Sequence, residues 1–312
     1  MKKLIFSILL LASTLLQASD IYVKPGESIA DAIRQARELR RLNDPSIEGG
    51  ITIHVAAGNY RIYEPLFLRP EDSGTPSSPT IIKGEGEVIV SGGVTVTGWK
   101  RQGKLMVADV PDFCGRPLDF RQFYVNGKKA VRARDVADFE DMYRIIRVDK
   151  QKRVLWVPAA AVRKIQKAPY AEMVLHEMWC VANLRIKDIM FAGDSAAVSF
   201  HDPESRIQFE HPWPCPMVTT DGHNSAFYLT NARELLDVPG EWYHDIRAGK
   251  LYYYPRQGEL IEEAVVPAVE TLLRVEGTLD RPVRNIRIEG LTFSYSTWMR
   301  PSLKGHIPLQ AG

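Results

Sequence analysis

The sequence is poor in cysteine, with only Cys114, Cys180 and Cys215 among 312 residues. These three lie far apart in the chain and are odd in number, so at most one internal disulfide can form. There is no Cys-x-x-Cys pair and no His-x-x-x-His spacing, and the sequence therefore predicts no metal and no other cofactor. We expect the cysteines to be small buried side chains.

An excess of either charge is also absent. Lys2 and Lys3 are the only charged residues among the first eighteen, and without them 38 basic residues balance 38 acidic ones. A nucleic-acid binder needs a basic surface that engages phosphates, so no nucleic-acid partner is expected. The sequence likewise contains no Gly-x-Ser-x-Gly elbow and no phosphate-binding glycine loop.

Long apolar runs are missing except at the start of the chain. The two lysines are followed by an apolar run over residues 4–16, and Ala18 and Ser19 are small. This layout is typical of a cleaved secretory signal, and the run is short for a membrane span. We therefore predict a signal peptide at residues 1–18, a periplasmic or secreted protein, and no stable membrane span after cleavage.

One helix is predicted near the start of the mature chain. Ser28 is a good N-cap, and apolar residues recur at helical spacing after it, at Ile29, Ile33, Ala36 and Leu39. A helix of this kind would cover the open end of a stack of strands. A basic helix lying on a membrane surface is the alternative.

Short strands dominate after Ile51. The segments ITIHVAAGNYRI, PLFL, TIIKG and VIVSGG are rich in Ile, Val and Thr, and Gly, Asn or Pro closes them. No helix-length pattern separates them, which disfavours a doubly wound α/β sheet. The pattern predicts an all-β fold, with a parallel β-helix as the first interpretation and an antiparallel sandwich as the second.

The same rhythm returns at Pro282–Trp298. Apolar and polar residues alternate there, and Gly290 predicts a corner between two short strands that contain Ile286, Ile288, Leu291 and Phe293. One such coil cannot bury its apolar face without stacked copies. Because the chain ends at Gly312, we expect an open solenoid end and a poorly soluble or self-associating protein.

Three motifs carry a family resemblance. They are the Gly-x-Tyr-Arg-x turn at Gly58–Ile62, the corner at Asp72–Thr75, and the exit at Ser91–Trp99. In this order and spacing they resemble the N-terminal coils of glycoside hydrolase family 141. The resemblance implies a right-handed parallel β-helix, a pectin-lyase-like solenoid, with an N-terminal capping helix.

The resemblance also implies an inserted β-rich domain. The segment Asn231–Pro255 matches the family's pattern at the exit from this insert, and Asn126-Gly127 predicts a hairpin turn within it. We accordingly expect the cap and first coils at 19–99, the insert at 100–258, and a truncated resumption of the β-helix at 259–312.

Several basic residues follow the predicted hairpin turn. They could bind an acidic sugar such as a uronic acid, but their alternation favours the wet face of a strand for Lys128, Lys129, Arg132 and Arg134.

The implied function is hydrolysis of complex plant polysaccharides, with fucosidase or xylanase activity. Such enzymes use two carboxyl groups, which coils stacked about 4.8 Å apart can position. Candidate acids in this chain include Glu177, Glu241, Asp245, Glu276 and Glu289, and a surface or turn role is favoured for Glu241, Asp245 and Glu289. The resemblance places the catalytic pair beyond residue 312, so we expect this chain to be inactive alone.

Two other functions stay open. A polysaccharide lyase could use the same solenoid, and a non-catalytic carbohydrate-binding or surface protein would need no carboxylate pair. For contact with an oligo- or polysaccharide, the best candidates are Trp298, His306 and Gln310, in a polar and aromatic stretch after the last strand.

Overall fold

The computed structural model describes residues 18–298, so most of the predicted signal peptide, His306 and Gln310 lie outside the described residues. Strands are numbered along the chain: β1 (Ser19–Val23), β2 (Ile51–Arg61), β3 (Leu66–Leu68), β4 (Thr80–Ser91), β5 (Gly93–Thr95), β6 (Lys100–Gln102), β7 (Leu105–Asp109), β8 (Tyr124–Val125), β9 (Lys128–Lys129), β10 (Val131–Arg132), β11 (Tyr143–Arg144), β12 (Arg147–Asp149), β13 (Val154–Pro158), β14 (Glu172–Glu177), β15 (Cys180–Ala192), β16 (Ser195–Phe200), β17 (Ala226–Thr230), β18 (Glu241–Asp245), β19 (Lys250–Tyr253), β20 (Ala264–Pro267), β21 (Leu273–Val275) and β22 (Ile286–Ser294). The prediction of a fold built mainly from β-strands is confirmed.

Helices are few and short: α1 (Ile29–Arg41), α2 (Ala159–Val162) and α3 (Glu204–Glu210). The predicted cap of α1 is confirmed, because the Ser28 hydroxyl accepts a hydrogen bond from the backbone N–H of Asp31 at 3.2 Å. Over residues 18–298, no helix combines the length and the apolar character that a membrane span requires.

The described chain forms two compact units. Within residues 18–298, the first unit comprises residues 18–92 together with Thr271–Ser296, and the second comprises Gly93–Glu270 with Thr297 and Trp298. The second unit is thus almost entirely one continuous segment of the sequence, placed between the two segments of the first.

Parallel pairing builds the first unit. One sheet has the order β1-β2-β4-β22 with every neighbour parallel, and β3 pairs in parallel with β21. The strands are stacked nearly in register, since Thr80 pairs with Ile51 on one side and with Ile286 on the other. This parallel pairing rules out the antiparallel sandwich for the first unit.

The core of the first unit is apolar and is joined by α1. Alternate residues of β2, including Ile51, Ile53 and Val55, are fully buried, and Ile29 and Ile33 of α1 pack into the same cluster. Burying one isoleucine in this way stabilises the fold by about 1.5–3 kcal/mol. The helix therefore covers this cluster as expected from its spacing.

Asp72 links α1 to the rest of the first unit through hydrogen bonds. Its buried carboxylate accepts hydrogen bonds from Arg37 Nε and Nη2, both at 2.9 Å, and a third from the backbone N–H of Arg69 at 2.7 Å. A buried carboxylate is tolerated when it is paired and hydrogen-bonded in this way. The predicted corner at Asp72–Thr75 thus carries one of the contacts that hold the helix.

The corner predicted at Gly290 is wrong as a break between strands. The strand β22 continues through Gly290, whose φ of 65° accompanies a shift of register between Glu289 and Leu291. Glycine adopts a positive φ at little cost, so the chain bends as a β-bulge and keeps its pairing to β4. The strand β4 is likewise continuous across a shift of register, although the sequence pattern predicted two short strands there, TIIKG and VIVSGG.

Antiparallel pairing dominates the second unit. Its sheets have the orders β10-β18-β19-β7-β6, β11-β17-β14-β15-β16-β13-β12 and β5-β20-β8-β9. The predicted hairpin is confirmed, because β8 and β9 pair across Asn126 and Gly127, both with positive φ as a type I′ turn requires. Two apolar cores fill this unit, one around β14 and β15 and the other around Trp242 and Phe123.

The cysteines only partly match their predicted role. All three are unpaired; Cys180 is buried, whereas Cys114 is exposed and Cys215 is half-buried. The prediction that they are buried side chains is therefore wrong for Cys114, which lies in an irregular turn with a φ of 51°. The sequence signal for burial fails there because no regular strand fixes which way the side chain points.

Candidate functional site

A cavity of about 620 Å³ opens in the second unit. Its volume lies within the range of about 300–1,000 Å³ typical of small-molecule sites. Four arginines line it, namely Arg121, Arg132, Arg185 and Arg247, against two carboxylates, Asp119 and Glu172. We call it the arginine cavity.

An ion-pair network forms one wall of the arginine cavity. Glu172, the first residue of β14, accepts two hydrogen bonds from Arg121, at 3.1 Å to Oε1 and 2.6 Å to Oε2. Arg132 Nη1 donates a third to Oε2 at 2.9 Å. Glu172 is only 4% exposed, and its two partners are also largely withdrawn from solvent. The carboxylate is therefore fully engaged.

The two wall carboxylates have opposite pKa shifts. Burial by itself raises the pKa of Glu172, but the positive charges of Arg132 and Arg121 outweigh it and lower the pKa below its usual range. Asp119 still touches solvent, yet the atoms crowded around it in the cavity desolvate it and raise its pKa despite Arg132. The ionised form of Glu172 is thus favoured, whereas Asp119 holds its proton more readily than an ordinary aspartate.

His244 is a neutral member of the wall. Its ring stacks on Phe120 with the centroids 4.6 Å apart, and the residue is 6% exposed. Burial, aided by the charge of Arg132, lowers the pKa of His244 to about 4. Because β18 alternates, His244 and Trp242 share a face, and Trp242 packs on the same Phe120 ring at 5.4 Å.

The two remaining arginines differ in how they are paired. Arg185 binds the buried carboxylate of Glu204 through two nitrogens and the carbonyl of Asp202 at 3.0 Å. The exposed Arg247 guanidinium lies 5.9 Å from the centre of the Tyr170 ring. Among residues 18–298, no carboxylate lies within ion-pair distance of Arg247, which leaves its charge available at the cavity.

Two buried polar atoms on residues of the cavity lining have no hydrogen-bond partner among the described residues. They are Nε of Arg132 and Oδ1 of Asn231. Asn231 has a φ of 61°, and its Nδ2 donates to the carbonyl of Tyr170 at 2.7 Å. A buried polar atom without a partner costs about 1–3 kcal/mol, so the lining retains hydrogen-bonding capacity.

Trp298 is the described member of the predicted sugar-binding set. Its ring lies 5.3 Å from the guanidinium carbon of Arg121, and it is 37% exposed. Because Arg121 lines the arginine cavity, this contact brings Trp298 to its margin. Sugar binding by Trp298, His306 and Gln310 stays a prediction, and the last two lie outside the described residues.

None of the acids singled out from the sequence lines the cavity. Glu241 accepts hydrogen bonds from the backbone of Asp237 and Val238, and Asp245 accepts from the turn that follows it. Glu177 bonds Cys180 and Gln208, and burial raises the pKa of Glu177.

The two acids of the first unit pair locally, Glu276 with Arg274 and Glu289 with Arg287. Asp119 and Glu172 were missed because nothing near them in the sequence indicates their arginine partners.

The preferred interpretation of the basic residues after the hairpin is wrong for Arg132. Lys128 and Lys129 are exposed as expected, but Arg132 turns inward to Glu172. The Arg132 side chain lies against the carboxylate of Glu172 and the ring of Trp242 rather than in solvent. No group of three metal-ligating side chains occurs within residues 18–298.

Comparison with known proteins gives two matches. Residues 103–256 match the profile of the GH141 insertion domain. A solved structure described as "Glycoside hydrolase" is 61% identical to the chain, with a TM-score of 0.89, over 93% of this chain and 53% of that one. The chain therefore spans about half the length of that relative. No curated protein matches it.

Proposed function

We propose that the chain is the N-terminal part of an exported family 141 glycoside hydrolase, starting from the match of residues 103–256 to the GH141 insertion domain. The observation that carries the proposal is the 61% identity to a glycoside hydrolase over 93% of this chain. Identity at this level extends far beyond the insertion domain, so it supports a shared enzyme and not only a shared module.

The proposed architecture is a right-handed parallel β-helix interrupted by the insertion domain. The parallel stacking of β1, β2, β4 and β22, with β3 and β21 as a second pair, supports this as the start of a pectin-lyase-like solenoid. The proposed segments are the cap and first coils at 19–99, the insert at 100–258, and the resumed β-helix at 259–312.

The catalytic carboxylates are proposed to lie in the half of the enzyme that this chain does not cover. A glycosidase needs one carboxyl group that can donate a proton and a second that stays ionised. Glu172 is unsuited to donate a proton because Arg121 and Arg132 lower its pKa, and it is unsuited to act as the ionised group because the same two arginines occupy both of its oxygens. The chain alone is therefore proposed to be inactive.

The proposed substrate class is complex plant polysaccharide, attacked with fucosidase- or xylanase-like specificity, and the proposed location is periplasmic or secreted. The first part rests on the family resemblance. The second rests on the signal-like layout of residues 1–18, with its paired lysines and apolar run.

A hydrolysis assay tests the enzyme proposal. The mature chain alone and a chimera that joins it to the remaining half of the solved relative would be incubated with aryl fucosides, aryl xylosides, xylan and pectic polysaccharide. We expect no sugar release from the chain and release by the chimera. The intact relative is the positive control. Release by the chain alone, or an inactive, folded chimera beside an active relative, would contradict the proposal.

A second function is favoured by the arginine cavity, namely carbohydrate binding by the chain without hydrolysis. The cavity combines charged hydrogen-bond donors with the aromatic rings of Tyr170 and Trp298 at its edge. Sites that bind sugars need both, because hydroxyl groups bond to polar side chains and sugar C–H faces pack on rings.

A further inference from the structure

We infer that the arginine cavity of the insertion domain binds a uronate, a sugar residue that carries a carboxylate. The inference rests on the proposed function in taking a polysaccharide as the ligand, and it adds the chemical class of the sugar and the residue that recognises it. Arg247 is assigned as the group that pairs with the sugar carboxylate.

The charges of the cavity favour an anion. Glu172 is shared by Arg121 and Arg132, and Arg185 is held by Glu204. Counting Asp119 of the lining as well, three carboxylates accompany four guanidinium groups, and among residues 18–298 the arginine without a carboxylate partner is Arg247. A guanidinium group can donate two parallel hydrogen bonds to a carboxylate, which makes it the side chain best matched to this anion.

The other features of the lining favour a sugar over a simple anion. The Oδ1 atom of Asn231 is a buried acceptor that lacks a donor among residues 18–298, and a sugar hydroxyl can supply one. Tyr170 offers a partly exposed ring directly beside Arg247. A uronate presents a carboxylate, hydroxyl groups and a C–H face together, and it fits all three.

The size of the cavity is also suitable. A volume of about 620 Å³ exceeds what one monosaccharide requires and accommodates a short oligosaccharide. Trp298 lies at the margin formed by Arg121, so a chain of sugars that leaves the cavity on that side would meet a second aromatic ring. We therefore expect a trisaccharide to bind more tightly than a single uronate.

Calorimetric titration of the mature chain tests the inference. The probes are trigalacturonate, its methyl ester and inorganic phosphate, at pH 7 and low salt. We expect trigalacturonate to bind at least tenfold more tightly than the ester, which has the same rings without the charge, and more tightly than phosphate. Salt should weaken the binding, because a solvent-accessible ion pair is screened.

A matched pair of arginine variants locates the site. Arg247→Ala should weaken trigalacturonate binding about tenfold to a hundredfold, the usual effect of losing a charged hydrogen-bond pair. Arg163→Ala is the control, since Arg163 is likewise exposed over an aromatic ring, Phe191 at 5.6 Å, and does not line the cavity. It should change binding less than twofold. Arg247→Lys should restore part of the affinity.

Each opposite result overturns the inference. Equal binding of trigalacturonate and its ester would exclude recognition of the carboxylate while leaving carbohydrate binding intact. Phosphate binding as tight as that of trigalacturonate would indicate a general anion site, and equal effects of the two alanine variants would place the site elsewhere. If no probe binds to a chain with normal circular dichroism, the inference fails, whereas the hydrolysis assay of the chimera still decides the enzyme proposal.

Discussion

His244 shows how a single residue takes its chemistry from neighbours distant in sequence. The ring is packed on Phe120 and lies near Arg132, and both burial and the positive charge disfavour its protonated form. An ordinary histidine is half-protonated near pH 6.5, whereas the pKa of His244 is about 4. Folding must therefore release a proton from this side chain at mildly acidic pH.

The free energy of unfolding should consequently fall as the pH drops from 6.5 towards 4. Over this interval the unfolded state binds a proton at His244 that the folded state does not, so stability rises with pH. A shift from 6.5 to about 4 is worth about 3 kcal/mol at most. Chemical denaturation at pH 4.5, 5.5 and 6.5 measures the effect.

His244→Phe keeps a ring on Phe120 and should flatten part of that pH dependence relative to the parent. His223→Phe removes an exposed histidine and controls for the loss of an imidazole elsewhere. If His244→Phe and the parent lose the same stability between pH 6.5 and 4.5, the assignment of the pH dependence to His244 is wrong.

The bulged strands of the first unit show how one element constrains its neighbour. Gly84 of β4 and Gly290 of β22 face each other so closely that a Cβ atom on Gly84 would lie 2.2 Å from the Gly290 carbonyl oxygen. The obstacle is backbone, which cannot move without breaking the pairing of the two strands. Two glycines are therefore needed where these bulges stack.

Gly84→Ala should destabilise the protein by about 3 kcal/mol, because overpacking against backbone lies at the high end of such costs. Gly26→Ala is the control, since a Cβ there meets nothing within 4 Å and only the positive φ of 92° opposes it. That cost is about 1 kcal/mol. Urea denaturation of the two variants measures the difference, and a Gly84→Ala variant as stable as Gly26→Ala would contradict the close contact.

At the scale of the whole molecule, each apolar core is formed by residues of only one of the two units. Both cores of the second unit are formed only by residues between Val94 and Ala268, whereas the core of the first unit combines residues of β2 and β4 with Leu273 and residues of β22. A unit with its own core and one continuous segment can fold by itself.

We therefore expect residues 93–270, produced as a separate protein, to unfold in one cooperative transition with a β-rich circular dichroism spectrum. The first unit has no matching continuous segment, so residues 18–92 alone should lack such a transition, because β22 and β21 supply part of their pairing. A gradual, non-cooperative melt of residues 93–270 would show that this unit depends on the rest of the chain.

The arginine cavity lay largely beyond prediction from the sequence. Arg121 and Arg132 are 51 and 40 positions from Glu172, and no periodic pattern links residues so far apart. Alternation correctly indicated a strand at Arg132 but could not tell that Glu172 and Trp242 would lie against its side chain. Trp298 was chosen for its place after a strand, and its contact with Arg121 became visible only with the fold.

The sequence by itself determined the features that depend on neighbouring residues: the Ser28 cap of α1, the turn at Asn126-Gly127, and the short alternating strands. Tertiary structure decided that Gly290 is a bulge within β22, that Arg132 turns inward to Glu172, and that Arg247, beside Tyr170, has no carboxylate partner among residues 18–298. The physical reason is that backbone preference and capping act within a few residues. Burial, ion pairing and the cost of a Cβ atom instead depend on which distant segment the folded chain places alongside.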